Sequence, residues 1–153
     1  FGVPVVVAIN HFTTDTPAEI EVIREEALAA GAQDAILTSH WADGGKGAVD
    51  LAKGVIAASE KPKDMSFTYG LEGSIEERME AICQKMYGAE KVEFSELAQK
   101  KIDTYTKQGY SNLPICVAKT QYSLSHDPDL KGAPTGFTVP IRDVRMAAGA
   151  GYL

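Results

Sequence analysis

Two short stretches combine an aromatic ring with polar neighbours, and both follow apolar, strand-like runs. One is Asn10-His11-Phe12-Thr13-Thr14-Asp15-Thr16; the other is His40-Trp41-Ala42-Asp43-Gly44-Gly45-Lys46-Gly47, which holds the only tryptophan. In an open α/β sheet, ligands bind in the crevice outside the carboxyl ends of the strands. Rings delivered to that edge by consecutive strands would hold a flat ligand between them, each contact contributing ~1 kcal/mol beyond area burial. Core packing is the competing use of Trp41, because a tryptophan serves that role more often than it forms a ligand platform.

The Gly44-Gly45-Lys46-Gly47 turn opens a helix, so its amides and the helix dipole suit an anion, with Lys46 adding charge. A flexible turn with a solvated lysine is the alternative. The turn is no P-loop: Gly47 stands where Ser or Thr is required, and the four-residue spacer is absent. Thr13 to Thr16 either hydrogen-bond a polar ligand or cap the following helix. Lys119-Thr120-Gln121-Tyr122-Ser123 lines a site or turns the chain. Arg142-Asp143-Val144-Arg145 reads as exposed ion pairing. His126 and Asp127 have no nucleophile at a defined spacing, so no hydrolase triad can be built. No residue is identified as catalytic on these grounds.

The elements that carry these residues are legible from period and punctuation. Val3 to Ile9 is a β-branched run suited to a strand buried on both faces, with Pro4 near its start. Thr16, Pro17 and Glu19 form a capping box that starts a helix with Ile20, Ile23, Ala27 and Ala30 on one face, and Gly31 ends it. Asp34 to Ser39 is a second strand. A helix from about Gly47 to Ser59 presents Val49, Ala52, Val55 and Ile56. The result is a parallel βαβ unit with a further helix, over residues 1–60.

Residues 61–153 read as a smaller α+β region. Met65 to Tyr69 is a short strand or an extended connection. Ser74 caps a helix with Ile75, Met79, Ile82, Cys83 and Met86 inward and Gly88 as its stop. Ser95 opens another helix to about Lys107. Asn112 to Lys119 and Phe137 to Val144 are strand candidates, the second carrying Pro140 and therefore at an edge or bend.

Composition narrows the function classes. The 153 residues are 44% hydrophobic and 24% charged, with a net charge of −6, which fits a buried core and argues against general nucleic-acid binding. Cys83 and Cys116 read as two buried thiols in a reducing compartment. The scattered histidines and the absence of CxxC or HExxH give no metal site. No apolar stretch approaches the ~20 residues needed to cross a bilayer, so no membrane partner is expected. A strand begins almost at Phe1, and the chain ends at Gly149-Ala150-Gly151-Tyr152-Leu153, so it reads as a fragment.

Beyond this point a family resemblance takes over. The segments Phe1 to Phe12, Thr14-Asp15-Thr16 and His40 to Ala48 resemble formate–tetrahydrofolate ligase. So do Tyr105-Thr106-Lys107-Gln108-Gly109-Tyr110, Asn112 to Ser125 and Pro134-Thr135-Gly136-Phe137. The resemblance spans essentially the whole chain and corresponds to the carboxyl-terminal portion of a P-loop-type ligase fold. It implies joining of formate to tetrahydrofolate with ATP and Mg²⁺, through formyl phosphate, to give 10-formyltetrahydrofolate. It further implies that Phe12, Leu37 and Trp41 hold the folate ring, with Gly44, Gly45 and Lys46 beside them. Thr13 stands where many relatives have Pro, making that wall more polar.

The same resemblance implies an ATP phosphate site mostly outside this fragment, an inactive isolated fragment, a cytoplasmic location and a homo-oligomeric parent. The parent is either a free-standing ligase or one fused to dehydrogenase and cyclohydrolase activities. A non-catalytic folate- or nucleotide-binding module and a structural oligomerisation domain are the alternatives from other classes.

Overall fold

A parallel strand pair joined through a helix opens the chain. In the computed structural model, which describes residues 1–153, β1 (Val6–Asn10) lies beside β2 (Asp34–Thr38). Their register runs from Val6 opposite Asp34 to Asn10 opposite Thr38. Pro4 falls ahead of β1, where its missing N–H costs no ladder bond. The connecting helix α1 (Pro17–Ala29) starts as its sequence dictates: Thr16 accepts from the Glu19 amide while the Glu19 carboxylate accepts from the Thr16 amide. Beyond β2 come a single helical turn, α2 (His40–Asp43), a 3₁₀ turn (Gly44–Ala48) and α3 (Val49–Ser59).

α1 packs with part of its expected face, Ile20 and Ala27, whereas α3 packs with a different face from the one its apolar residues suggest. On α1 the half-buried residues are Ile20, Arg24 and Ala27, while Ile23 and Ala30 are exposed. On α3 Leu51 and Gly54 are half-buried and Ala58 is buried, and Val49, Val55 and Ile56 face outward. Gly54 explains the choice on α3, because a Cβ there would stand 2.3 Å from Ile36 Cδ1. The absence of a side chain at Gly54 leaves room for the Ile36 terminal methyl, which would otherwise have to shift. Residues 61–66 form no strand; they return to the start of the chain, with the Asp64 and Ser66 amides donating to the Gly2 and Phe1 carbonyls.

The chain divides into two units, Phe1–Ser66 and Phe67–Leu153. The second holds α4 (Ile75–Tyr87), β3 (Lys91–Phe94), α5 (Glu96–Lys107) and β4 (Thr138–Ile141). Ser74 and Glu77 form the capping box of α4, and Gly88 ends it at φ +75°. Ile75, Met79, Ala98 and Ile102 pack with Val144 and Leu153, and Cys83 packs with Ala89, Phe137 and Val139.

Two expectations for this unit are corrected. β3, a short segment alternating Lys91-Val92-Glu93-Phe94, was not anticipated from sequence; it pairs in parallel with β4, Glu93 opposite Pro140. The strand expected over Asn112 to Lys119 does not form. The segment is tied instead to the end of the chain: the Cys116 amide donates to the Leu153 carbonyl and the Leu153 amide to that of Pro114. Pro114 has no N–H to extend a ladder, and Cys116 is exposed rather than buried. Cys83 is buried, and burial, then the charge of Glu80, pushes its thiol up.

Candidate functional site

β1 and β2 run in parallel, so their carboxyl ends, Asn10 and Thr38, lie side by side, and each strand releases its loop at the same edge. Phe12 follows β1 by two residues and Trp41 follows β2 by three. Both rings are in water, Phe12 61% and Trp41 86% exposed. An indole left that open forgoes the burial energy that a core position supplies, of about 1.5–3 kcal/mol for a large apolar side chain. The packing use of Trp41 within this unit is therefore absent.

The backbone beneath each ring is fixed. The Phe12 amide donates to Asp15 Oδ2 at 2.8 Å, and the Phe12 carbonyl accepts from the Asp15 amide at 3.0 Å. Asp15 thus closes the turn that presents Phe12, while Thr16 next to it caps α1. Trp41 sits on α2 rather than in a loop; the Ala42 and Asp43 amides both donate to the Ser39 carbonyl, at 3.0 and 2.9 Å. The Ser39 amide in turn donates to the Gly47 carbonyl at 3.1 Å, tying the glycine turn back to the base of α2.

Thr38, between the two loops, makes three contacts. Its hydroxyl donates to the Ile9 carbonyl at 3.2 Å and lies 3.1 Å from His40 Nδ1, and its own carbonyl accepts from the His11 amide at 3.1 Å. Thr38 and Gly47 were not singled out from the sequence. A threonine inside a buried strand, where Val or Ile would pack equally well, is the signal that could have marked the first.

The remaining expected residues are placed as follows. Leu37, 38% exposed, precedes Thr38 on β2. It lines a shallow groove of about 530 Å³ with Arg24, Asp34, Asp50, Lys53 and Gly54, away from the Phe12 and Trp41 loops. Gly44, Gly45 and Lys46 form the 3₁₀ turn after α2, with Lys46 exposed and paired with no carboxylate.

In the second unit, a cleft of about 920 Å³ lies between residues 115–126 and 139–147. Its lysine is committed internally: Lys119 donates to the carbonyls of Thr120 and Ser123 and lies 5.4 Å from the centre of the Tyr87 ring. Lys119 and Thr120 line the cleft, and the stretch to Ser123 turns the chain, with the buried Ser123 and Ser125 hydroxyls 2.9 Å apart. Arg142 to Arg145 carry the surface ion pairing expected of them, with Asp143 held by Lys101 and Arg145. No group of three or more His, Cys, Asp or Glu side chains is arranged to hold a metal ion, and no helix is long and apolar enough to cross a membrane.

A family model described as formate–tetrahydrofolate ligase matches residues 1–153. The chain belongs to that family. Among curated relatives, the mitochondrial C-1-tetrahydrofolate synthase of Saccharomyces cerevisiae is 63% identical over 153 residues, covering 100% of this chain. The cytoplasmic C-1-tetrahydrofolate synthase of Schizosaccharomyces pombe is 59% identical over 154 residues and the cytoplasmic human protein of that name 50% identical over 153. The chain spans 16% of the length of each of these relatives. Membership of the ligase family covers the whole chain, so both strand-end loops and the glycine turn lie within the matched region.

Proposed function

We propose that this chain supplies the tetrahydrofolate-holding wall of an ATP-dependent formate–tetrahydrofolate ligase. The observation that carries the reading is the pair of exposed rings, Phe12 and Trp41, on adjacent parallel strand ends of a chain from this family. The folate's flat ring system stacks on these two side chains; Leu37, in its groove with Arg24 and Lys53, is not part of that wall. The exposed Lys46 ammonium, on the turn formed with Gly44 and Gly45, offers a positive charge to an anionic part of the ligand.

The chemistry assigned to the whole protein follows from leaving-group strength. Formate loses hydroxide reluctantly, so ATP with Mg²⁺ first converts it to formyl phosphate. The folate amine then attacks the formyl carbon, and phosphate departs with the electron pair of the broken C–O bond. Phosphoryl transfer of this kind depends on positioning and on stabilising the phosphoryl oxygens. The reading assigns the residues of this chain to orientation of the acceptor amine, and the P-loop-type phosphate site to other parts of the full-length protein.

Steady-state kinetics of the full-length protein test this. Trp41→Ala should raise the tetrahydrofolate KM about tenfold, the equivalent of ~1.4 kcal/mol of lost binding, and leave the ATP KM unchanged. Equal effects on the two constants would remove the assignment. Tryptophan fluorescence gives a second readout: quenching by tetrahydrofolate supports the wall, and quenching by ATP alone contradicts it.

A further inference from the structure

We propose that Thr38 is the positioning residue that holds the Phe12 loop and the Trp41 loop at a fixed separation; this rests on reading those rings as the tetrahydrofolate wall. Thr38 is 1% exposed and is the one buried polar side chain of the first unit. A buried hydroxyl costs free energy unless its hydrogen-bonding capacity is met. Here it is met, by Ile9 near the end of β1 and by His40, the residue before Trp41.

The Thr38 hydroxyl has one proton. The Ile9 carbonyl can only accept, so that proton points to Ile9 across 3.2 Å. Toward His40 the same oxygen must then accept, and Nδ1, 3.1 Å away, must carry hydrogen. His40 is then the donor in this contact, which ties its imidazole to Thr38. On the other side, the Thr38 carbonyl accepts from His11, the residue before Phe12. One residue thus grips the end of β1, the start of the Phe12 loop and the residue preceding Trp41. Valine has nearly the same shape, so the hydroxyl alone accounts for two of these three ties.

The test uses the full-length protein, four variants at Thr38 and His40, and two reference variants at the rings. Thr38→Val should raise the tetrahydrofolate KM about 2–10-fold, as expected for one or two lost hydrogen bonds, while kcat and the KM values for ATP and formate stay within about twofold. Thr38→Ser should return the folate KM to the parental value. His40→Phe should raise it in the same direction, and Thr38→Val with His40→Phe should be no worse than Thr38→Val alone, because both act through one contact.

A purely structural role would instead lower the melting temperature and the active fraction, hence apparent kcat, with the folate KM intact; that result overturns the proposal. If Thr38→Val fails to fold, His40→Phe decides, and an unchanged folate KM there overturns it. Trp41→Ala and Phe12→Ala serve as the reference pair. If they raise the folate KM while Thr38→Val does not, the wall stands and the positioning role falls. If neither of them changes it, the wall itself falls and the positioning role with it.

Discussion

Ser39 and Gly47 are bonded backbone to backbone at 3.1 Å, and a Cβ on Gly47 would stand 2.5 Å from the Ser39 carbonyl carbon and 2.7 Å from the His40 amide nitrogen. The obstruction is main chain, which cannot swing aside as a side chain can. Gly47→Ala should therefore push α2 and Trp41 from their seat and destabilise the first unit by about 1–3 kcal/mol, the usual cost of overpacking. Gly45, two residues earlier, has nothing within 4 Å of its Cβ position. Gly45→Ala should be neutral or slightly stabilising. Urea unfolding of the two variants beside the parent checks the contrast, and equal behaviour would deny the close approach.

Arg78 offers a second test. Its side chain is 1% exposed and pairs with no carboxylate. Its guanidinium instead donates to the carbonyls of Leu71, at 2.8 Å, and Gly73, at 3.4 Å, and to that of Ser111, while Nε has no partner. The planar fork joins the turn before α4 to the turn after α5. Arg78→Met leaves those carbonyls without donors and should cost roughly 3 kcal/mol. Arg78→Lys keeps the charge but concentrates the donors on one nitrogen, so it too should destabilise. Thermal melts that show Arg78→Lys matching the parent would mean that charge, rather than the fork, is what matters.

Acid sensitivity follows from two carboxylates. Hydrogen bonds from Lys101, first, and then Arg145 hold the Asp143 carboxyl below its ordinary range. Those from the Thr16 backbone and then its hydroxyl do the same for Glu19. A carboxylate with a depressed folded pKa contributes stability that is present above its unfolded pKa and lost as pH falls through the folded value. Stability should therefore decline on acidification below the unfolded carboxylate values, about 3.9 for Asp and 4.3 for Glu. Asp143→Asn and Glu19→Gln should each flatten that decline in denaturant titrations run at a series of pH values. A slope identical to that of the parent would show that neither group is linked to folding.

How much of this was visible beforehand depended on whether the information was local. The capping boxes at Thr16–Glu19 and Ser74–Glu77 and the Gly88 stop are statements about neighbouring residues, and the helices begin and end where those signals stand. The β1–β2 pairing was equally legible from its β-branched run, but burial on both faces was not borne out. Only Ile9 of β1 is buried, Ala8 and Asn10 are exposed, and Val3 and Val5 lie exposed ahead of the strand. The orientation of α3 was not legible either. An apolar stripe says that a face avoids water, not what covers it; α3 meets β2 through Gly54 and leaves Val49, Val55 and Ile56 outside. β3 escaped notice because its charged and apolar residues alternate over four positions, too few for a period to register. In the site, residue type revealed the rings, whereas Thr38 and Gly47 matter through distances that no spacing in the sequence encodes.

The two cysteines give a chemical check on the corrected second unit. Cys83 is sealed in the α4 core with its thiol pushed up by burial, while Cys116 is exposed on the segment once expected to be a strand. Thiolate is the reactive form, so access favours Cys116, while burial keeps Cys83 in its unreactive thiol form. A thiol reagent added to the folded 153-residue chain at neutral pH should label Cys116 rapidly and leave Cys83 untouched until denaturant is added. Peptide mapping by mass spectrometry locates the label. Fast double labelling would show that α4 opens readily, and no labelling would place Cys116 inside after all. Cys116→Ser should remove the rapid phase with little change in stability, since an exposed thiol contributes no packing, whereas Cys83→Ser would put a hydroxyl among Ala89, Phe137 and Val139 at a cost of about 1–3 kcal/mol.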